Sequence, residues 1–357
     1  MEKERLFYVD IIKLVSALMV MLFHFNVNAY YRDNNVELLG ALSYMNISFG
    51  DIAISLFIII SGMTLSLTSR EKFSTQRFLK KRALAIYPSF WISYLFVAFC
   101  IVILTNNSIG DGHLWKLILT FFGLDGFFLY KMTSYYLVGE WYTGYMLITY
   151  LFFPILFLYG ARAPFYTMAF LLAIAIYLHI NYSYYFSVYE TCNPLMRLPD
   201  FFFGIMFGIH IRKDPSLLNK LFLLSVAYLV SYDYISSIIP YHFFMMFGGM
   251  AIFIVAVRVI DFLRVENTFI AKPIKYIAQF QFLAFLVHHQ IILYLYSKIM
   301  VSELGFYEKV FVYLLVVFLS FLYAILINPV VRKSTFVMSG ALDVLFKPKN
   351  ISSSPLK

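Results

Sequence analysis

The sequence predicts an all-α fold, a polytopic integral membrane bundle of about ten transmembrane helices with both termini cytoplasmic. Three observations carry this expectation. Of 357 residues, 62% are hydrophobic and 13% charged, too little polar surface to cover a water-soluble globule of that length. Ten stretches are apolar over about the 20 residues that a helix needs to cross ~30 Å of hydrocarbon. Lysine and arginine gather on one side of those stretches, as cytoplasmic loops require.

Taken in order, the first span covers residues 8–28 and carries Asp10, Lys13 and His24. It is too long, and too charged, for a signal peptide, and no small-residue cleavage site follows it. The next spans are 49–69 and 83–105, the latter entered through the basic run RFLKKR. The apolar stretch LWKLILTFFGLDGFFLY (114–130) is interrupted by Gly123, Asp125 and Gly126 and reads as an interfacial or re-entrant piece. Spans at 141–159, 163–182, 196–211, 219–235, 242–260, 275–297 and 308–329 complete the set, the sixth and seventh being short. Residues 1–335 form one membrane domain, and 336–357 a short basic cytoplasmic tail.

With both ends inside, 21 of the 28 basic residues fall on the cytoplasmic side, from Lys3 and Arg5 through Arg70, Lys72, Arg77, Lys80, Lys81 and Arg82 to Lys347, Lys349 and Lys357. A wrong helix count scrambles such an alternation. The net charge of +9 is then a belt facing anionic lipid of the bilayer, and no nucleic acid is needed to explain it. Cys100 and Cys192 are expected to be free thiols. No internal repeat of the kind found in many transporters is evident.

The first span raises a chemical question, because ionisable groups are costly in a membrane helix. Lys13 and His24 are eleven residues apart, three turns plus about 20°, so both project from one face about 16 Å apart along the axis. Asp10 lies one turn below Lys13. This stripe faces the bundle interior or a wet cavity. It reads either as a functional site or as an Asp10/Lys13 ion pair with an interfacial histidine.

The opening RLFYVDIIKLVSALMVMLFH resembles the start of the acyltransferase 3 family, with Tyr8, Asp10 and His24 in place and Lys13 where the family has arginine. Further matches follow in the family's order. SLFIIISGM supplies Ser61 and Gly62, RFLKKRALAIYPSFW supplies Arg82 and Pro88, and WYTGYMLITYLFFP supplies Trp141, Tyr150 and Pro154. RLPDFFFGIMFG resembles the phenylalanine-rich segment ending Gly-x-x-x-Gly, and FLVHH the late segment ending in His288. Departures stand at Lys13, at Ala85 (arginine in the family) and at Met146 (glutamate in many members).

The resemblance implies a ten-helix membrane acyltransferase, of the kind that O-acetylates bacterial surface polysaccharides, in the bacterial cytoplasmic membrane. The co-substrate is expected to be acyl-CoA, with acetyl-CoA the first candidate, and the acceptor a hydroxyl of a saccharide or polysaccharide. No tightly bound cofactor is implied. His24 is the expected general base, since imidazole titrates near working pH. Lys13 would stabilise donor charge or the developing oxyanion, with Asp10 beside it as the third catalytic candidate. Arg82, with Lys80 and Lys81, would meet the coenzyme phosphates. Ser61, Asp51, His288 and Trp141 are substrate-binding candidates. Asp51 either orients His24 or caps a helix, and Ser61 either donates a hydrogen bond or allows close packing. His288 lies deep in an apolar run, where a polar ring needs a reason, and His289 beside it points about 100° away.

Arg197 and Asp200 are spaced to pair with each other, or to contact the acceptor. Tyr135, Tyr136 and Tyr142 offer a stacking surface for a sugar. No histidine pair has metal-ligand spacing with an acid or cysteine nearby, so no metal is expected. The competing reading, from another class, is a transporter or exporter of a polysaccharide or lipid-linked saccharide intermediate, with the same stripe lining a proton pathway. A membrane scaffold without activity is a third.

Overall fold

The computed structural model describes residues 6–33, 38–69, 73–105, 109–110, 113–129 and 131–345. The basic residues Lys3, Arg5, Arg70, Lys72, Lys347, Lys349 and Lys357 lie outside the described residues. Among the described residues fifteen α-helices follow one another: α1 (Phe7–Arg32), α2 (Phe49–Thr68), α3 (Thr75–Thr105), α4 (Leu117–Phe121), α5 (Asp125–Phe128), α6 (Glu140–Leu158), α7 (Pro164–Ile180), α8 (Tyr182–Tyr185), α9 (Leu198–Ile209), α10 (Pro215–Val230), α11 (Tyr232–Ile238), α12 (Tyr241–Leu263), α13 (Ala271–Ala278), α14 (Gln281–Lys298) and α15 (Phe306–Leu345). A helix satisfies its backbone groups within the segment, which is why apolar stretches facing lipid adopt it.

Among the described residues, α1, α2, α3, α6, α12 and α15 are each long and apolar enough to cross a membrane. Two bent pairs, α10 with α11 at 78° and α13 with α14 at 68°, raise the number to eight. Hydropathy leads to an expectation of ten crossings; by length and composition the described helices supply six to eight of them. The fifth, 163–182, is the 17-residue α7, and the sixth, 196–211, is the 12-residue α9, only about 18 Å long. Ten of the twelve residues of α9 are buried, so it is an interior helix whose apolar sequence faces protein. Stretch 114–130 is interrupted as its glycines suggested: α4 ends at Phe121, Gly123 follows at φ +68°, and α5 restarts at Asp125. Helix α15 runs on to Leu345, so the domain boundary placed after residue 335 falls inside it. Its Asp343 pairs with Lys80 of α3.

The tightest packing joins α2 to α9. A Cβ on Gly62 would stand 2.2 Å from the Phe201 carbonyl oxygen, and one on Gly204 2.0 Å from that of Ile59. Only glycine lets the two backbones approach so closely, which explains the Gly204-x-x-x-Gly208 spacing. Gly204→Ala is expected to force the helices apart and cost about 1–3 kcal/mol, the usual penalty for overpacking. The midpoint of thermal unfolding in detergent should drop accordingly; an unchanged midpoint would mean that α9 can shift freely.

A hairpin, Ser43–Tyr44 against Ile47–Ser48, turns through Met45 and Asn46, both with positive φ, the two-residue geometry that suits strand twist. It delivers Ser48 as the cap of α2: the Ser48 hydroxyl accepts from the Asp51 backbone N–H at 3.0 Å and donates to the Asp51 carboxylate at 2.7 Å.

Helix α1 runs through the bundle against α2, α12, α13, α14 and α15. Its C-terminal half is tied down by bonds that fix its rotation. Asn26 donates to the Leu39 carbonyl at 3.0 Å and accepts from the Leu39 N–H at 2.9 Å. Tyr296 of α14 donates to the Phe25 carbonyl at 2.8 Å, Arg32 donates to the Tyr296 carbonyl at 2.7 Å, and Tyr313 of α15 donates to the Leu18 carbonyl at 3.0 Å.

Candidate active site

With α1 and α14 held in this register, His24 faces two histidines of α14. Its ring centroid lies 5.3 Å from that of His288 and 5.2 Å from that of His289, and the latter two are 6.3 Å apart. His288 is fully buried and its Nδ1 lies 2.6 Å from the Phe285 carbonyl. A carbonyl only accepts, so Nδ1 carries the proton and Nε2 is the basic nitrogen of the neutral ring. Asn28, one turn along α1 from His24, donates to the His24 carbonyl at 2.8 Å and lies 3.1 Å from His289 Nε2. Helical position alone sets His289 at the edge of the site; the structure puts it as near His24 as His288 is. Asn28 is not among the sequence candidates, although its i+4 spacing from His24 is visible in the sequence.

Nearer the N-terminal end of α1 lies a cavity of about 290 Å³, between α1, α2, α3, α6 and α14, into which Lys13, Ser61 and Arg82 all open. It contains two cations, and no carboxylate is among its lining residues, so its chemistry favours an anionic or electron-rich ligand. The Arg82 guanidinium lies 5.9 Å from the Phe78 ring and 5.8 Å from the Tyr150 ring, both cation–π distances. Tyr150 in turn shares a hydrogen bond with Ser61, 3.1 Å between oxygens. Serine in the Ser61-Gly62 pair thus faces the cavity, while glycine takes the helix contact. Ala85 and Met146, where the sequence departs from the family pattern, line this cavity together with Lys13.

Cavity and histidines meet at Phe285. Its ring lines the cavity, lies 5.7 Å from Tyr142 on the cavity side, and 5.4 Å from His288 on the other. A second, smaller cavity of about 70 Å³ shares Arg82 and adds Arg77 and Lys81. Lys80, grouped with these in the sequence reading, is instead committed to Asp343.

Other candidates fall elsewhere. Asp10 is absent from the cavity lining. The Asp51 carboxylate accepts from Ser48 and, at 2.7 Å, from the Tyr241 hydroxyl, so it is a first-turn acid that holds the Ser48 cap and ties α2 to α12. Trp141 packs against Tyr142 and Tyr145 at 6.1 and 5.7 Å. Tyr135 is buried, its carbonyl accepting from Tyr94 at 2.8 Å, so it forms no exposed stacking platform. Arg197 and Asp200 pair at 2.5 Å with both side chains fully buried. Cys100 and Cys192 are free thiols.

Residues 6–329 match the acyltransferase domain that defines the acyltransferase 3 family. A 100-residue stretch is 29% identical to acyltransferase MdmB of Streptomyces mycarofaciens, covering 28% of this chain and 25% of that protein. The chain thus aligns with only about a quarter of that relative's length. No solved structure matches. Apolar helices long enough to span a bilayer, a cationic cavity beside a histidine cluster and a family match over nearly the whole chain converge: the protein belongs to the acyltransferase 3 family of membrane acyltransferases.

Proposed function

We propose that the protein moves an acyl group, acetyl in the first instance, from cytoplasmic acyl-CoA to a hydroxyl of an exported or cell-surface saccharide, in the cytoplasmic membrane of a bacterium. The observation that carries this reading is the two-part site: cations at one level of α1, imidazoles about three turns further along it, and Phe285 between them. Coenzyme phosphates would enter past Arg77 and Lys81 and meet Arg82, and the pantetheine arm would extend along the cavity beside Lys13. About 16 Å of helix separates Lys13 from His24, too far for both to touch one carbonyl carbon. Lys13 therefore serves the donor, and oxyanion stabilisation falls to groups nearer His24.

In the reaction, a neutral His24 takes the proton of the acceptor hydroxyl as its oxygen bonds to the thioester carbonyl carbon. The carbon–sulfur bond then breaks, and the imidazolium returns the proton to the departing thiolate. No free proton or charge is left behind. A transporter would need no acyl donor, so family membership favours the enzyme over the exporter reading.

Labelled acetyl transfer from acetyl-CoA to native surface glycan, in membranes with matched protein levels, tests the proposal. Arg82→Ala and Lys13→Ala are each expected to raise the KM for acetyl-CoA about tenfold or more, as loss of a charge-assisted contact worth about 1.5–3 kcal/mol implies. An unchanged KM in both would remove the cavity from donor binding. Unlabelled glycan with wild type would overturn the choice of donor or acceptor.

A further inference from the structure

The contacts of Asn28 fix more than its own position. Its side-chain amide faces two acceptors, the His24 carbonyl at 2.8 Å and His289 Nε2 at 3.1 Å. Interchanging the amide nitrogen and oxygen would set two oxygens against each other at 2.8 Å, so the nitrogen must stand there. It donates one proton to the carbonyl and the other to Nε2. His289 is then held as the neutral imidazole with its proton on Nδ1. His288 has the same tautomer but a different anchor: its Nδ1–H is spent on the Phe285 carbonyl at 2.6 Å, whereas the Nε2 of His289 is the nitrogen that is spent. The two neighbours of His24 are thus anchored through opposite nitrogens, one through Nδ1–H and the other through Nε2. Both rings lie about 5 Å from His24, centroid to centroid, a separation at which facing ring nitrogens come within hydrogen-bond reach.

We propose that Asn28 and His289 are positioning residues of the acyl transfer: the Asn28 amide sets the tautomer of His289, and His289 in turn orients the imidazole of His24. The proposal rests on the reading of His24 as general base. It gives the second histidine of the His288–His289 pair a role that its helical position alone did not suggest. The tautomer of a histidine beside a base matters because it decides whether the neighbouring nitrogen is offered a donor or an acceptor.

The test has two arms. The chain has only seven histidines, so solid-state NMR of the full-length protein, labelled with ¹⁵N-histidine in lipid bilayers, can be assigned from single variants. His289 is expected to show the Nδ1–H form in wild type. Asn28→Asp, whose carboxylate only accepts, should move that proton to Nε2. A wild-type His289 protonated on Nε2, or a tautomer unmoved by Asn28→Asp, would overturn the proposal.

The second arm measures release of coenzyme A thiol from acetyl-CoA by protein in nanodiscs, with water as acceptor. His289→Ala and Asn28→Asp should each lower kcat about ten- to a hundredfold, the scale of a misaligned catalytic group, with KM for acetyl-CoA unchanged. His289→Asn, which keeps an N–H donor close to the place of Nδ1–H, should recover most of that loss. An unaltered kcat in His289→Ala would equally overturn the positioning role. Wild type that releases no thiol would count against acetyl-CoA as donor, and the NMR arm would still decide the tautomer.

Discussion

His24→Ala is expected to lower acyl transfer by about 10²–10⁴-fold, the range for loss of a positioned general base, while KM for acetyl-CoA stays within about twofold of wild type. The two effects separate because the histidine cluster and the cationic cavity are different places in the bundle, joined through Phe285. The His24 ring is half-buried and the bonds that hold α1 come from Asn26, Arg32 and the backbone, so the variant should keep its fold. Thermal unfolding of the purified variant checks that point, and labelled product from acetyl-CoA measures the loss. Undiminished product from a folded His24→Ala protein would end the general-base assignment. A fall in both kcat and acetyl-CoA affinity would mean that the donor reaches the histidines in the ground state.

Arg197→Met should produce the largest loss of stability, about 3–5 kcal/mol, because it strands Asp200 as an uncompensated charge in the interior. Arg197 binds the Asp200 carboxylate at 2.5 Å, donates to the Ser55 hydroxyl of α2 at 2.5 Å and reaches the Thr191 carbonyl at 3.3 Å. The Ser55 hydroxyl in turn lies 3.5 Å from the Met245 sulfur of α12. One guanidinium thereby joins α9, α2 and the chain before α9, beside the glycine contacts that bring α2 and α9 together. Replacing both partners, Arg197→Met with Asp200→Leu, should recover much of the loss, since a buried pair exchanged for apolar groups is often nearly neutral. Chemical unfolding in detergent compares the two. A single variant as stable as wild type would show that the pair is not structural; a double variant as damaged as the single would place the cost in the lost Ser55 and Thr191 contacts.

The stripe on the first helix shows how far sequence reasoning reached. Apolar runs fixed which segments are helical, since a backbone surrounded by lipid has no other way to satisfy itself. Helical geometry placed Lys13 and His24 on one face, and the spacing of Arg197 and Asp200 anticipated their pairing. The capping pair of α2 is legible too, in Ser48-Phe-Gly-Asp51, because a serine three residues before an acid is a local signal.

Hydropathy could not tell a helix buried in protein from one bathed in lipid, because both are apolar; α9 was therefore read as a crossing, although it is about 18 Å long. The breaks between α10 and α11 and between α13 and α14 carry no proline or glycine at the bend to announce them. The pairing of Lys80 with Asp343 joins residues 263 positions apart in the chain, beyond any local rule.

By itself, the sequence determined the helices, their apolar character, the polar face of α1 and the resemblance that named a chemistry. Tertiary structure alone decided that α14 lies against α1 in the register that brings His288 and His289 to His24, and that Lys13, Arg82 and Ser61 share one cavity. The physical reason is range. Helix formation and side-chain direction depend on residues within a few turns, whereas the meeting of two helices depends on which faces pack and where distant hydrogen bonds clamp them, as Tyr296 does on Phe25 and Tyr313 on Leu18.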